Sequence, residues 1–200
     1  MNRKTLWVGF ISLLVVGVAA LTLVFAKPPT LRGTSYDEPY PKAPEVELVK
    51  ANGETFRLSE QKGKIVLLFF GYTSCPDVCP TTLAELKQVM DKLGDKTEQV
   101  QVVFVSVDPE RDTPEKIQKY VEHFNSDFLG LSGSPDKLQI IWDNYGVFHE
   151  RVESDSAFGY IINHTARTYL IDQNGNLRLS YGFQTPVEDM VSDLEILLNQ

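Results

Sequence analysis

Cysteine is scarce in this chain. Its 200 residues contain two, Cys75 and Cys79, so all thiol chemistry rests on one pair. Histidine is nearly as scarce, and His123, His149 and His164 are the whole supply of imidazole. An excess of basic charge is missing as well. Arg3 and Lys4 take two of the 19 basic residues, which leaves 17 against 27 acidic residues over 27–200, a net of −10. A domain of that sign is not a nucleic-acid binder by charge, and its partners should present neutral or basic patches. Internal repeats and low-complexity tracts are absent. No cysteine follows the N-terminal apolar run, so a lipid-modified cysteine is not the expected anchor.

That apolar run is present and long. Leu6 to Ala26 is 21 residues without a charge, preceded by Arg3 and Lys4. A bilayer needs about 20 residues and a signal-peptide core about 7–15, so the run predicts one transmembrane helix over 1–26. Val24-Phe25-Ala26 offers a cleavage site, but an uncleaved anchor is the better reading. Arg3 and Lys4 favour a cytoplasmic N-terminus, a bias that Lys27 and Arg32 weaken. The expectation is a single-pass protein of the cell membrane with its soluble domain on the extracytoplasmic side. Residues 27–43 carry four prolines and no apolar period, which predicts a tether. The domain proper is expected over 44–200.

The two cysteines lie in Cys75-Pro76-Asp77-Val78-Cys79-Pro80. Ile65–Phe70 before them reads as a strand buried on both faces. Leu83, Leu86, Met90 and Leu93 after them follow helical spacing, with Gly94 as the stop. Both thiols therefore fall where a strand ends and a helix begins, where the helix dipole favours a thiolate. Residues i and i+4 share a helix face. Two soft thiolates there, with a third ligand from elsewhere, suit Cu(I) or Zn. The same pair could close a disulfide, structural or redox-active.

The remaining pattern is regular. Val46–Val49 and Thr55–Leu58 flank Asn52-Gly53 as a hairpin. Val100–Val107 is a second buried strand. Thr113-Pro114, Ser134-Pro135 and Thr185-Pro186 each announce a helix, the last as a capping box with Glu188. Phe128–Leu131 reads as a short strand. Thr165–Ile171 and Leu177–Phe183 form a hairpin across residues 172–176. The order is an α/β fold with a largely parallel core sheet. Its closing hairpin and helix resemble the thioredoxin fold, with a β-α insertion near 128–145 and an added N-terminal β-hairpin. Nothing is assigned to 146–163. His123 reads as a surface residue and His149 as a loop residue. His164 precedes a strand, and in a thioredoxin-like fold the loop at that place lies over the cysteine turn. One imidazole and two thiols would then make a Cys2His site.

Three motifs, in order, carry a family resemblance. They are Gly71-Tyr72-Thr73-Ser74-Cys75-Pro76-Asp77-Val78-Cys79-Pro80, Val105-Ser106-Val107-Asp108-Pro109-Glu110-Arg111-Asp112-Thr113-Pro114-Glu115, and His164-Thr165-Ala166-Arg167-Thr168-Tyr169-Leu170. Together they resemble the Sco/SenC/PrrC family from about residue 40 onward. The resemblance implies a membrane-tethered copper protein that assists assembly of the CuA centre of cytochrome c oxidase. It implies Cys75, Cys79 and His164 as ligands to Cu(I) or Cu(II), and Asp108 as an acid close behind them. The implied partners are the oxidase subunit carrying CuA and a second copper chaperone as donor. No enzymatic turnover is then required. The alternative is a thiol–disulfide oxidoreductase that reduces cysteines of an oxidase subunit with the Cys75–Cys79 pair. A thiol peroxidase is disfavoured, because Tyr72 stands where such enzymes place a threonine.

Overall fold

The computed structural model describes residue 7, residues 30–154 and residues 159–200. Apart from Trp7, the expected membrane segment lies outside the described residues. Among the described residues no helix is long and apolar enough to cross a membrane.

The core of the folded unit is the run Ile65–Gly71, strand β4, in which every residue is buried. Such a run can be satisfied only at the centre of a covered sheet. It is numbered fourth because three short strands precede it: β1 (Thr34–Ser35), β2 (Glu47–Val49) and β3 (Thr55–Arg57). β4 leads to helix α1 (Val78–Leu93), then to β5 (Val100–Ser106) and helix α2 (Pro114–Glu122). Next come β6 (Leu129–Leu131), helix α3 (Pro135–Tyr145) and the strands β7 (His149–Glu153) and β8 (Tyr160–His164). The chain closes with β9 (Arg167–Ile171), β10 (Leu177–Gly182) and helix α4 (Val187–Leu198).

Six strands form one sheet in the order β1-β10-β9-β4-β5-β6. β4, β5 and β6 run parallel, and β9 lies antiparallel to β4. The β4–α1–β5–α2 half and the β9–β10–α4 half are the two pieces a thioredoxin-like arrangement requires. Alternation along β4 sends Phe69 and Gly71 to one face and Phe70 to the other. Cys79 Sγ and the Phe104 ring crowd Gly71 on the first face. Tyr145 of α3 packs on Phe70 on the second, with ring centroids 5.3 Å apart.

Four expectations are corrected. The insertion does not end with α3, because β7 and β8 pair as a separate antiparallel hairpin over 149–164. His149 is therefore a strand residue, paired opposite His164. Residues 31–43, expected as tether, are instead part of the folded unit, which begins at Leu31. β1 pairs with β10, Leu177 N–H donates to Pro41 O at 2.9 Å, and Ala43 N–H donates to Gly175 O at 3.0 Å. Finally, Thr185 makes no capping box. Its hydroxyl turns back to donate to Gly182 O at 2.8 Å, and α4 starts after Pro186 with no side-chain cap. Thr113 does cap α2, accepting from Lys116 N at 3.2 Å.

Candidate metal centre

Gly71 closes β4, and the chain turns through Tyr72–Asp77 before α1 begins. Cys79 is the second residue of α1 and fully buried, whereas Cys75 sits in the turn and is half-buried. The two are thus not on one helix face as the spacing suggested. Cys75 Sγ instead folds back over the helix N-terminus and accepts the Cys79 amide at 3.4 Å. Pro80 follows without penalty, because N–H groups in a first helical turn have no intrahelical partner.

His164 arrives from the other side, as the last residue of β8. Its Nε2 lies 3.5 Å from Cys79 Sγ. Its Nδ1 lies 3.2 Å from Thr165 O. With the ring proton on Nδ1, donated to that carbonyl, Nε2 presents a lone pair to a metal; with the proton on Nε2, the ring donates to a cysteine sulfur instead. The ligating atoms of Cys75, Cys79 and His164 all lie within 4.8 Å of one another, the only such group of three among the described residues. An open cleft of about 260 Å³ gives access, lined by Tyr72, Cys75, Pro76, Val78, Ile161 and His164.

The thiols are electrostatically unequal. Cys75 is held down at about 4, first by the hydrogen bond from the Cys79 side chain and further by His164 and by the amides of Cys79 and Asp77, against the opposing cost of burial. Cys79 is pushed well above the ordinary thiol value, chiefly by burial, then by its bond to Cys75 and by that neighbour's negative charge. One thiolate and one thiol face the imidazole.

The other expected residues are placed as follows. Asp108 is buried but lies outside the group of three. One of its oxygens pairs with Arg111 and the other accepts from Tyr160 Oη at 2.8 Å. Arg111 in turn lies 5.6 Å from the Tyr72 ring, which meets His164 edge-on at 5.8 Å. Asp108 thus reaches the imidazole through two intermediates. His123 is exposed, with Nδ1 2.6 Å from Lys119 O. His149 packs at a tilt against Trp142, with ring centroids 4.2 Å apart.

Asp112 escaped the sequence reading. Standing before Thr113-Pro114 it looks like a solvated turn residue, yet it is fully buried. It accepts from Thr73 N at 3.0 Å, Thr73 Oγ1 at 2.5 Å and Ser106 Oγ at 3.0 Å. Those bonds pin the cysteine turn to the end of β5. The only signal was its place in the second motif.

The SCO1/SenC family profile matches residues 34–199. An SCO2-like protein of Rickettsia felis is 36% identical over 184 residues, covering 88% of this chain and 90% of the relative. Among solved structures, apo Sco1 of Thermus thermophilus is 43% identical with a TM-score of 0.75, covering 84% of this chain and 98% of that one. Bradyrhizobium japonicum ScoI with copper bound is 36% identical with a TM-score of 0.71, covering 78% and 99%. Fold and site define a thioredoxin-like protein with a thiol–thiol–imidazole cluster. This chain belongs to the SCO1/SenC family.

Proposed function

We propose that this protein is a membrane-anchored copper chaperone. It binds copper through Cys75, Cys79 and His164 and passes it to the subunit of cytochrome c oxidase that carries CuA. The observation that carries the reading is the convergence of two sulfurs and an imidazole nitrogen within 4.8 Å. Family membership and the copper-bound relative support it. Two soft sulfurs favour Cu(I), and three ligands at an open cleft leave the ion within reach of an acceptor. Cu(II) would need a further oxygen ligand. Uptake requires both sulfurs as thiolates. Cys75 already is one, so Cys79 is the thiol that must release its proton, and burial makes that release unfavourable until the cation neutralises the new charge. A second copper chaperone is the natural donor, and the domain works on the extracytoplasmic side.

The test is anaerobic Cu(I) titration of the reduced protein against a competing chelator. Cys75→Ser, Cys79→Ser and His164→Ala should each weaken binding severely. Undiminished affinity in the His164→Ala protein would remove the third ligand.

One observation favours a second reading. A half-buried low-pKa thiol beside a buried high-pKa one is the asymmetry of an exchange dithiol, in which the exposed sulfur attacks. Reduction of an oxidised acceptor peptide by a protein that takes up no copper would make exchange the function.

A further inference from the structure

His164 ends a hairpin that belongs to neither edge of the main sheet. β7 is exposed along nearly its whole length. The hairpin joins the body at its base, where Val147 N–H donates to Trp142 O at 2.8 Å and His149 packs at a tilt against Trp142. A two-stranded ribbon held only there could swing about that base. Two phenols hold it, beside an exposed ion pair from Arg151 to Glu110 at 3.0 Å.

Tyr160, at the start of β8, is buried, and its hydroxyl donates to Asp108 at 2.8 Å with Glu110 at 3.4 Å. Its ring lies between two guanidinium groups, Arg111 at 3.6 Å and Arg151 at 3.7 Å. Arg111 also donates to the Tyr160 carbonyl at 3.0 Å, so backbone and side chain are both gripped. Tyr72, fully buried beside the cysteine turn, reaches across the cleft. Its hydroxyl oxygen accepts the Ile162 amide at 3.1 Å. Ile162 is two residues from His164, and the Tyr72 ring meets the imidazole edge-on.

We propose that Tyr72 and Tyr160 are positioning residues: their hydroxyls latch the β7–β8 hairpin against the body and thereby set the reach of His164 Nε2 to Cys79. The latches act on the hairpin's angle, and the imidazole reports that angle at the sulfurs. This inference rests on the copper reading for its consequence but not for its geometry.

The test uses the full chain with Tyr72→Phe and Tyr160→Phe, which keep both rings and remove only the hydroxyls. In the metal-free protein, Tyr72→Phe should speed hydrogen exchange of the Ile162 amide, and Tyr160→Phe should speed exchange along β8. Each should weaken Cu(I) binding by about tenfold, the scale of one lost hydrogen bond. In a His164→Ala background neither substitution should change Cu(I) affinity further, because the latches act only through that imidazole. Equal losses in both backgrounds would mean they act through the thiols or the fold, and would overturn the proposal. So would unchanged exchange. If Tyr160→Phe does not fold, Tyr72→Phe decides the matter alone. If the wild-type protein binds no copper, the ligand reading falls while the exchange rates still judge the latches.

Discussion

Cys75 and Cys79 are the same residue type four positions apart, and the fold makes them different acids. Cys75 collects hydrogen-bond donors at a helix N-terminus and ionises at about 4. Cys79 is enclosed beside Gly71 and Phe104 and holds its proton. Ultraviolet thiolate absorbance of the reduced protein should therefore show one thiolate at neutral pH and a second only in strong alkali. Cys79→Ala should raise the Cys75 value, since the largest stabilising donor to its sulfur is gone. The stability consequence has a definite sign. Between about 4 and the ordinary thiol value of 9.0, the unfolded chain holds the Cys75 proton and the folded one does not. Stability from this group is thus complete above 9.0 and is lost as the solution is acidified through that window. A Cys75→Ser protein should lack that part of the acid slope in chemical denaturation. The pair's place at a strand-to-helix junction was legible in sequence. Its inequality was not, because burial of Cys79 depends on which side of β4 the helix packs.

At the scale of elements, legibility followed apolar density. β4 and β5 were plain because dense Val, Ile, Leu and Phe runs, broken in β5 only by Gln101, have no other comfortable place. α2 and α3 were plain because Pro follows Thr113 and Ser134. The β7–β8 hairpin was invisible: His149-Glu150-Arg151-Val152-Glu153 lies exposed and carries no alternation of polarity. It holds by strand pairing, by the two tyrosines and by the Arg111 and Arg151 contacts, all of which are long-range facts. The short strand β6 shows how close such packing is. A Cβ on Gly130 would stand 2.6 Å from the carbonyl oxygen of Ile117 in α2, a backbone atom that cannot step aside. Gly130→Ala should force β6 and α2 apart and cost about 1–3 kcal/mol, as overpacking does. Thermal unfolding should show it as a lowered midpoint, with the cysteine titration unchanged.

The whole molecule is an acidic domain with one apolar N-terminal run. Its folded part starts earlier than composition suggested, and the cause is Asp193 in α4. This fully buried carboxylate accepts from Arg32 N and Gly33 N, both at 2.8 Å, and from Tyr181 Oη at 3.2 Å. Arg32 also pairs with Asp189. The prolines that signalled a free tether also suit an extended segment laid along a sheet edge. Membrane anchoring makes its own prediction. The protein should stay with membranes through an alkaline carbonate wash, and protease added from the extracytoplasmic side should digest the domain. Release by carbonate would leave the chaperone reading intact and remove the anchor from it.

Sequence alone determined what is local. It set the strand-to-helix junction that holds both cysteines, the buried central strands, the helix starts with proline behind Thr113 and Ser134, and three motifs that name a family. Tertiary structure decided what depends on residues far apart in the chain. It seated His164 on a hairpin, placed Asp112 beneath the cysteine turn, tied Asp108 to Arg111 and Tyr160, and captured residues 31–43. Local chemistry follows from spacing, whereas convergence depends on how elements pack, and no spacing records that.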